Sequence, residues 1–514
     1  MRWWIPLLVG VVAVTACSDD TDATPPPEVG SSEPAEEDSG PTPNQSTTTT
    51  DGAAPAPEDT STAEPDSGTD RELLGYRASL YPTDFPTERK SLSGTHEIVD
   101  AGFPRDVTLD DIEIETIDMP YPALMYTRDD DEIFVIGGTP LAIDNYVSLI
   151  DGLPPGENET DPYFAKYDPT TGNIVYLDLD RGSGVPYLGG ALVHADGYIY
   201  VVSQSHLYRV EPESMRIEAS VDLPTDDPAT VYNGLAVSRT GQLILKSLSF
   251  GGGAANLSLV DPATLEVVFS LDCDCRSPRL TLAVDGNGVE HLYHLNREQT
   301  FRYVVEQDSL TLDETWIARF DPDGTGMNQE PTSPVVVDGQ VFYTTNTSVD
   351  ATLPMRVFWQ DVNATYTPDM PPLEGPLLFE DPDNRAGWSF SGLAADEATG
   401  IFMAVDQQRG LTNAFRPTDD GGIDILWQRE LRVSASNTHV TDRQMVYITD
   451  FVDGSNHLVV LDLLTGEEIV RVPTPAARAT IGAILVTADG DVYLASNEPG
   501  EPTGFLIRLS VSQE

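Results

Sequence analysis

Eight times between about residue 121 and the C-terminus, the chain repeats one short phrase. An apolar run meets a tight polar turn, and a second β-rich apolar run follows. Six copies are clear: GGALVHADGYIYVV (189–202), NGLAVSRTGQLIL (233–245), LTLAVDGNGVEHLYHL (280–295), SPVVVDGQVFYTT (333–345), SGLAADEATGIFMAV (391–405) and GAILVTADGDVYLAS (482–496). Two are looser, ALMYTRDDDEIFVIG (123–137) and NTHVTDRQMVYIT (437–449). A phrase recurring roughly every 50 residues belongs to a radial or linear array, whose units bury their apolar faces against one another. Such repetition constrains the scaffold closely and the ligand hardly at all.

Each phrase turns on Asp-Gly, Asn-Gly, Thr-Gly or a charged equivalent such as Asp442-Arg443, and the first two dipeptides accept the positive φ that two-residue hairpins need. The flanking Val, Ile, Leu, Tyr and Phe suit a pleated, half-buried surface, so each phrase predicts the two inner strands of a small antiparallel sheet. A second hairpin follows several copies: AKYDPTTGNIVYLDL (165–179), LYRVEPESMRIEASVDL (207–223), LSLVDPATLEVVFSLD (257–272) and LVVLDLLTGEEIVRVP (458–473). There an Asp or Glu opens a four- or five-residue turn. Two hairpins per unit give four strands per unit, which predicts an all-β fold: a single β-propeller of four-stranded blades, eight in number, with seven the alternative. Helical arrays are excluded, because no 12-residue stretch of this region keeps a clean 3.6-residue apolar spacing. An open ring would expose a sheet edge, so the strand-like DVTLDDIEIETIDM (106–119) is expected to join the last blade or pack at the seam.

The N-terminus predicts an address. Arg2 precedes an apolar stretch, Trp3 to Val14, too short to span a bilayer, and Val14-Thr15-Ala16 places small residues before Cys17. This run resembles a bacterial lipobox, which implies that residues 1–17 are a lipoprotein signal peptide and that Cys17 is lipidated. The expected localisation is therefore the outer face of a bacterial membrane, with the lipid anchor as the membrane partner. Residues 18–70 hold 14 acidic side chains, no Lys or Arg and no aromatic residue, so they are read as a disordered Pro/Ser/Thr-rich tether. Residues 71–120 are the lead-in and ring-closing strand, and 121–514 the propeller.

The whole chain has 84 acidic residues against 28 Lys and Arg, a net charge of −56, and its only lysines are Lys90, Lys166 and Lys246. A surface this acidic repels nucleic acid and anionic lipid, so neither is expected as a partner. It suits a saline exterior, where screening weakens self-repulsion.

Few motifs carry chemistry. Cys273 and Cys275 are read as a disulfide pair, with free thiols or a metal or redox role as alternatives. His291 and His294 lie three apart on a strand and so face opposite sides, which disfavours chelation of one ion. The acidic turns Asp129 to Asp131, Asp321 to Gly324 and Asp381 to Asn384 lack the spacing of a twelve-residue calcium loop. There is no G-x-S-x-G elbow, phosphate-binding loop or haem motif. No metal site and no catalytic set is predicted.

The turns Asp168 to Gly172 and Asp462 to Gly466, with the unit length, resemble those of the quinoprotein-like β-propellers, the group of pyrroloquinoline-quinone repeat and YVTN-type proteins. The resemblance covers roughly residues 121–512 and implies the fold. True quinone enzymes carry a tryptophan shortly after that turn, docking neighbouring blades, where this chain has Tyr176 and Val470. They also have two adjacent cysteines, where this chain has Cys273-Asp274-Cys275. Calcium and quinone are thus cofactors without a supporting motif.

The residues that open the inner strands would line a central funnel: Tyr187, Tyr232, Asn233, Arg279, Ser389, Asn437 and His439. Aromatic and amide groups there suit a sugar or peptide. The expected function is a membrane-anchored module at the cell surface that binds a protein or a small-molecule ligand. The alternative is an extracytoplasmic enzyme, a quinone- or metal-dependent oxidoreductase or a lyase or hydrolase, for which Arg279 with His439 is the one nominated pair.

Overall fold

The computed structural model describes residues 79–511, apart from positions 100 and 130 and the segments 139–160, 181–188, 226–229, 250–253, 322–331, 347–353, 381–386, 436–437, 477–481 and 498–503. The signal segment, Cys17 and the tether lie outside the described residues.

Eight antiparallel sheets form the ring of a β-propeller. Blade 1 spans residues 122–178, blade 2 190–222, blade 3 230–273, blade 4 281–319, blade 5 335–361, blade 6 394–430, blade 7 439–473 and blade 8 484–511. All eight repeated phrases are first hairpins: NGLAVSRTGQLIL, for example, falls on strands Thr230–Val237 and Leu243–Ser249. First strands of successive blades touch around the axis, and the fourth strands carry alternating exposed residues outward. Blade 8 supplies three strands of its own, and Ile112–Asp118 pairs antiparallel with Gly504–Val511 as its fourth, from Ile112 opposite Val511 to Asp118 opposite Phe505. The two ends of the propeller chain thus share one sheet.

Blade 5 forms its fourth strand only as a short bridge. Its ladder stops at three strands, and the chain that follows reads TPDMPPLEGP (367–376). Four prolines in ten residues remove the N–H groups a fourth strand would donate. Tyr366 bridges to Trp316 of blade 4, and Leu377 bridges antiparallel to Arg356 at the start of blade 5's third strand, where Val357 N reaches Pro376 O at 3.2 Å and Leu378 N reaches Met355 O at 3.0 Å.

The second hairpin explains how blades meet. Asp168, Asp261 and Asp462 each accept backbone N–H groups two and three residues on, closing an Asx turn, and Glu211 does the same. Folding the side chain back leaves the next carbonyl free to face the preceding blade. Lys166 donates to Pro212 O at 3.4 Å, Arg209 to Pro262 O at 3.2 Å, Arg302 to Val362 O at 2.5 Å, Trp427 to Leu463 O at 2.8 Å and Arg508 to Pro169 O at 3.2 Å. Five seams use the carbonyl directly after the turn-opening acid. In a chain this poor in cations, several of them are spent on holding blades together.

Candidate functional site

Among the described residues, 79–99 and 101–103 run along the inner strands and bond to every blade except the third. Tyr81 N donates to Val193 O at 3.0 Å and Thr127 N to Phe85 O at 3.0 Å. Leu282 N then reaches Leu92 O, Val336 N reaches Ser93 O, Ala395 N reaches Thr95 O, and Val440 N reaches His96 O, at 2.8–3.2 Å. Glu97 and Ile98 pair parallel with Val440 and Thr441, and Gly102 N ends the circuit on Thr487 O of blade 8. Among the described residues, the lead-in supplies carbonyls to the inner strands of blades 1, 2 and 4 to 7, and an N–H to blade 8.

The lead-in carries its own polar anchor. Arg89 is buried and donates to Thr281 Oγ1 at 2.9 Å, to Pro334 O at 2.8 Å and to Gly94 O at 3.1 Å, with His96 Nε2 at 3.4 Å. Burial pulls its pKa down to about 10, against the opposing attraction of Glu88. Gly94 has φ +76°, and a Cβ there would fall within 1.9 Å of the Arg89 guanidinium, so the backbone at this point admits only glycine.

Of the expected funnel residues, Tyr232, Asn233, Arg279, Ser389 and His439 fall among the described residues. Tyr232 is buried and donates its hydroxyl to Pro224 O at 2.6 Å. Asn233 accepts from Lys246 on its side-chain oxygen, and from Arg279 on its backbone carbonyl. Arg279 also pairs with Glu88 of the lead-in, and its N–H reaches Ser333 Oγ at 2.9 Å. Ser389 is buried in a reciprocal pair with Asn346, whose amide accepts from Ser389 N at 3.0 Å and donates to Ser389 O at 2.6 Å. His439 is fully buried, with Nε2 2.7 Å from Ile484 O and Phe85 edge-on at 5.3 Å. Burial lowers its pKa to about 4, so it is a neutral ring donating to a carbonyl. Tyr187 and Asn437 lie outside the described residues. Arg279 serves the Glu88 pair and His439 a backbone carbonyl, so the nominated pair meets two different tasks. A recess among Glu88, Arg89, Asn233 and Arg279 has room for about two water molecules.

Cys273 and Cys275 are bonded to each other, both buried, at the end of the outer strand of blade 3. The ring they close starts the connector 274–280 into blade 4. His291 and His294 go separate ways, His291 to Asp285 at 3.2 Å and His294 to Ser277. Of the acidic turns, Asp130, residues 322–324 and residues 381–384 lie outside the described residues. Among the described residues no group of three or more His, Cys, Asp or Glu is placed to hold a metal.

One polar group escaped the sequence reading. Lys246, on the second strand of blade 3, is fully buried, and its ammonium donates to Asn233 Oδ1 at 3.1 Å. Burial first, then the charges of Arg279 and Arg276, lowers its pKa to about 7. His294, on the second strand of blade 4, is also buried, and Ser277 Oγ lies 2.5 Å from its Nδ1. Leu295 N–H donates to the same Nδ1 at 3.0 Å, which places the ring proton on Nε2. Burial and then the Lys246 charge hold the His294 pKa well below its ordinary value. The signal was present in the sequence: a lysine inside the apolar run LILKSL, in a chain with three lysines.

No protein-family model matches the chain, and no curated protein matches it in sequence. Among solved structures it is similar to the Dos1 propeller, at 10% identity over 79% of this chain and 95% of that one, with a TM-score of 0.47. It is similar also to the periplasmic gluconolactonase PpgL of Pseudomonas aeruginosa, at 14% identity over 64% and 94%, TM-score 0.42. A third is the virginiamycin B lyase of Staphylococcus aureus, at 8% identity over 78% and 100%, TM-score 0.40. The strand topology establishes the propeller independently of these likenesses.

Proposed function

We propose that the chain is an exported lipoprotein, anchored through Cys17, whose propeller binds a protein or small-molecule ligand at the cell surface. The observation that favours binding outside the axis is the lead-in itself. Propeller sites in the central funnel need a space of ligand size; among the described residues, lead-in carbonyls bond to the inner strands of six blades, and the recess beside Glu88, Arg89, Asn233 and Arg279 has room for about two waters. An axial enzyme would need several catalytic groups facing one reacting atom. Here Arg279, Ser389 and His439 each face protein partners instead.

The quinoprotein-like reading is part of this proposal, and a feature of the seams supports it. The family's docking tryptophan is missing after the Asp168 and Asp462 turns, yet Trp427 of blade 6 lies on the Asp462 turn of blade 7 and donates to Leu463 O. The docking contact is kept at one junction, from a blade whose own turn lacks the motif.

Two measurements on the natively expressed protein test the proposal. The N-terminal peptide should carry a diacylglyceryl group on Cys17, and Cys17→Ser should move the protein from the membrane to the soluble fraction. A native mass spectrum with metal analysis on the same sample should show neither quinone nor stoichiometric metal. A bound quinone or a stoichiometric metal would overturn the binding reading, and an unmodified Cys17 would overturn the anchor.

A further inference from the structure

The interface between blades 3 and 4 is built mostly from Leu257, Leu280, Leu292 and Phe301, all buried. Lys246 and His294 interrupt it. Lys246 pairs in register with Gly234, and a Cβ on Gly234 would touch Leu280 of blade 4, so this face of blade 3 looks toward blade 4. His294 stacks on Phe301 at 6.0 Å and is held by Ser277 of the connector between the two blades. The imidazole and the ammonium thus enter the same interface from opposite sides.

Their hydrogen bonds do not balance. A lysine ammonium has three N–H donors, and the structure gives this one a single acceptor, Asn233 Oδ1. Nε2 of His294, the protonated nitrogen, is buried without a partner among the described residues. The charges nearby add to the excess: Arg276 and Arg279 both act on Lys246. Their carboxylates are already engaged, Glu88 with Arg279 and Asp274 with Arg276. Buried donors without acceptors are costly, a charged one most of all, so native proteins supply a partner.

We propose that the blade 3–blade 4 interface is a binding site for a small inorganic anion of halide size, bridging the ammonium of Lys246 and Nε2–H of His294. The partner required is a negatively charged acceptor, since the local excess is of positive charge and of N–H groups. The donor count sets its size. Two N–H groups of Lys246 and one of His294 satisfy a monatomic anion, whereas a sulfate or phosphate brings four oxygens that three donors cannot saturate. The apolar walls favour a weakly hydrated ion such as chloride over fluoride. The low pKa of Lys246, about 7, describes the ammonium without that partner, and an adjacent anion raises it. Buried behind Asn233 and the lead-in, the ion would be part of the fold, tying stability to chloride in the saline surroundings that the acidic surface suits.

The test is the melting temperature of the mature full-length protein in sodium chloride and in sodium gluconate at equal ionic strength. A specific site adds RT ln(1 + [L]/Kd) to the stability and so raises Tm with chloride, with no such rise in gluconate. Lys246→Met, close in length and uncharged, should melt at the same temperature in both salts. Identical wild-type melting in the two salts, or an equal chloride increment in K246M, overturns the proposal. Should K246M fail to fold, crystals of the wild-type protein soaked in bromide decide: an anomalous peak between Nζ of Lys246 and Nε2 of His294 supports the site, and bromide found elsewhere only refutes it.

Discussion

At the seam between blades 6 and 7, the indole of Trp427 lies across Gly466, whose hydrogen leaves space that a Cβ would fill at 2.5 Å from the ring, and its N–H donates to Leu463 O. The side chain is nearly buried, and its polar group is satisfied. At the seam between blades 3 and 4, Lys246 and His294 are buried deeper still, with donors left over. The first seam solves a packing problem with one large ring. The second keeps polar groups that cost stability unless something outside the chain accepts from them. Local rules broken without compensation inside the chain mark the places where a ligand or a function enters the account.

Trp427→Ala breaks the comparison from the well-packed side. It removes the ring and its hydrogen bond together, and should cost about 3–5 kcal/mol in guanidinium unfolding at unchanged m-value. A loss below about 1 kcal/mol would show that the ring merely covers the seam. Lys246→Met probes the other side and has the opposite sign. In chloride-free buffer near pH 7 it should stabilise by about 1–3 kcal/mol, because it deletes a buried charge while keeping most of the volume. The gain also has a pH signature. The folded-state pKa of Lys246 is lowered from 10.5 to about 7, so its contribution is fully present above about 10.5 and is lost as pH falls through about 7. The stability difference between K246M and wild type should therefore be small above pH 10.5, grow as pH falls and level off below 7. A difference that stays flat across that window would mean that Lys246 is not desolvated.

Much of the ring was legible in the sequence because turn chemistry is local. Asp-Gly and Asp-x-x-Thr-Gly punctuate strands whatever lies next to them, and the eight phrases mark eight first hairpins. Two of these turns were legible without a glycine: Met215 (φ +51°) and Leu265 (φ +58°) occupy the left-handed position that Gly172 and Gly466 fill elsewhere. Residues 79–103 were opaque for a different reason. Their carbonyls go one or two at a time to six different blades, so beyond the short pair Glu97–Ile98 the segment never acquires the period-two pattern of a strand. The candidate site shows the same divide. Tyr232, Asn233 and Arg279 could be placed near the axis by their position before each inner strand. That Asn233 would turn toward Lys246, and Arg279 toward Glu88, depends on residues 13 and 191 positions away.

A middle-sized effect is expected where a cation, not an aromatic ring, joins two blades. Arg209 reaches Pro262 O and Ala263 O of blade 3 and lies 5.0 Å over the ring of Tyr198. Arg209→Gln should cost about 2 kcal/mol, within the range for hydrogen bonds to charged groups. Little dependence on salt is expected, since the acceptors are backbone carbonyls. A strong salt dependence would instead assign its role to the acidic surface.

The smallest effect concerns the covalent link at the blade 3–blade 4 seam. One residue, Asp274, separates Cys273 from Cys275. Cross-linking removes little entropy from an unfolded chain when the closed loop is so short, so the double variant Cys273→Ser, Cys275→Ser should lose only about 1 kcal/mol. Its consequence is local. The bond fixes the start of the connector that delivers Ser277 to His294, and Arg276 N–H reaches Leu295 O at 2.8 Å just beyond it. Amide exchange at Arg276 and Leu295 should quicken in the variant, while the indole N–H of Trp427 at the other seam keeps its protection. Equal acceleration at both seams would show that the bond stabilises the ring as a whole, and that the two seams are not independent units.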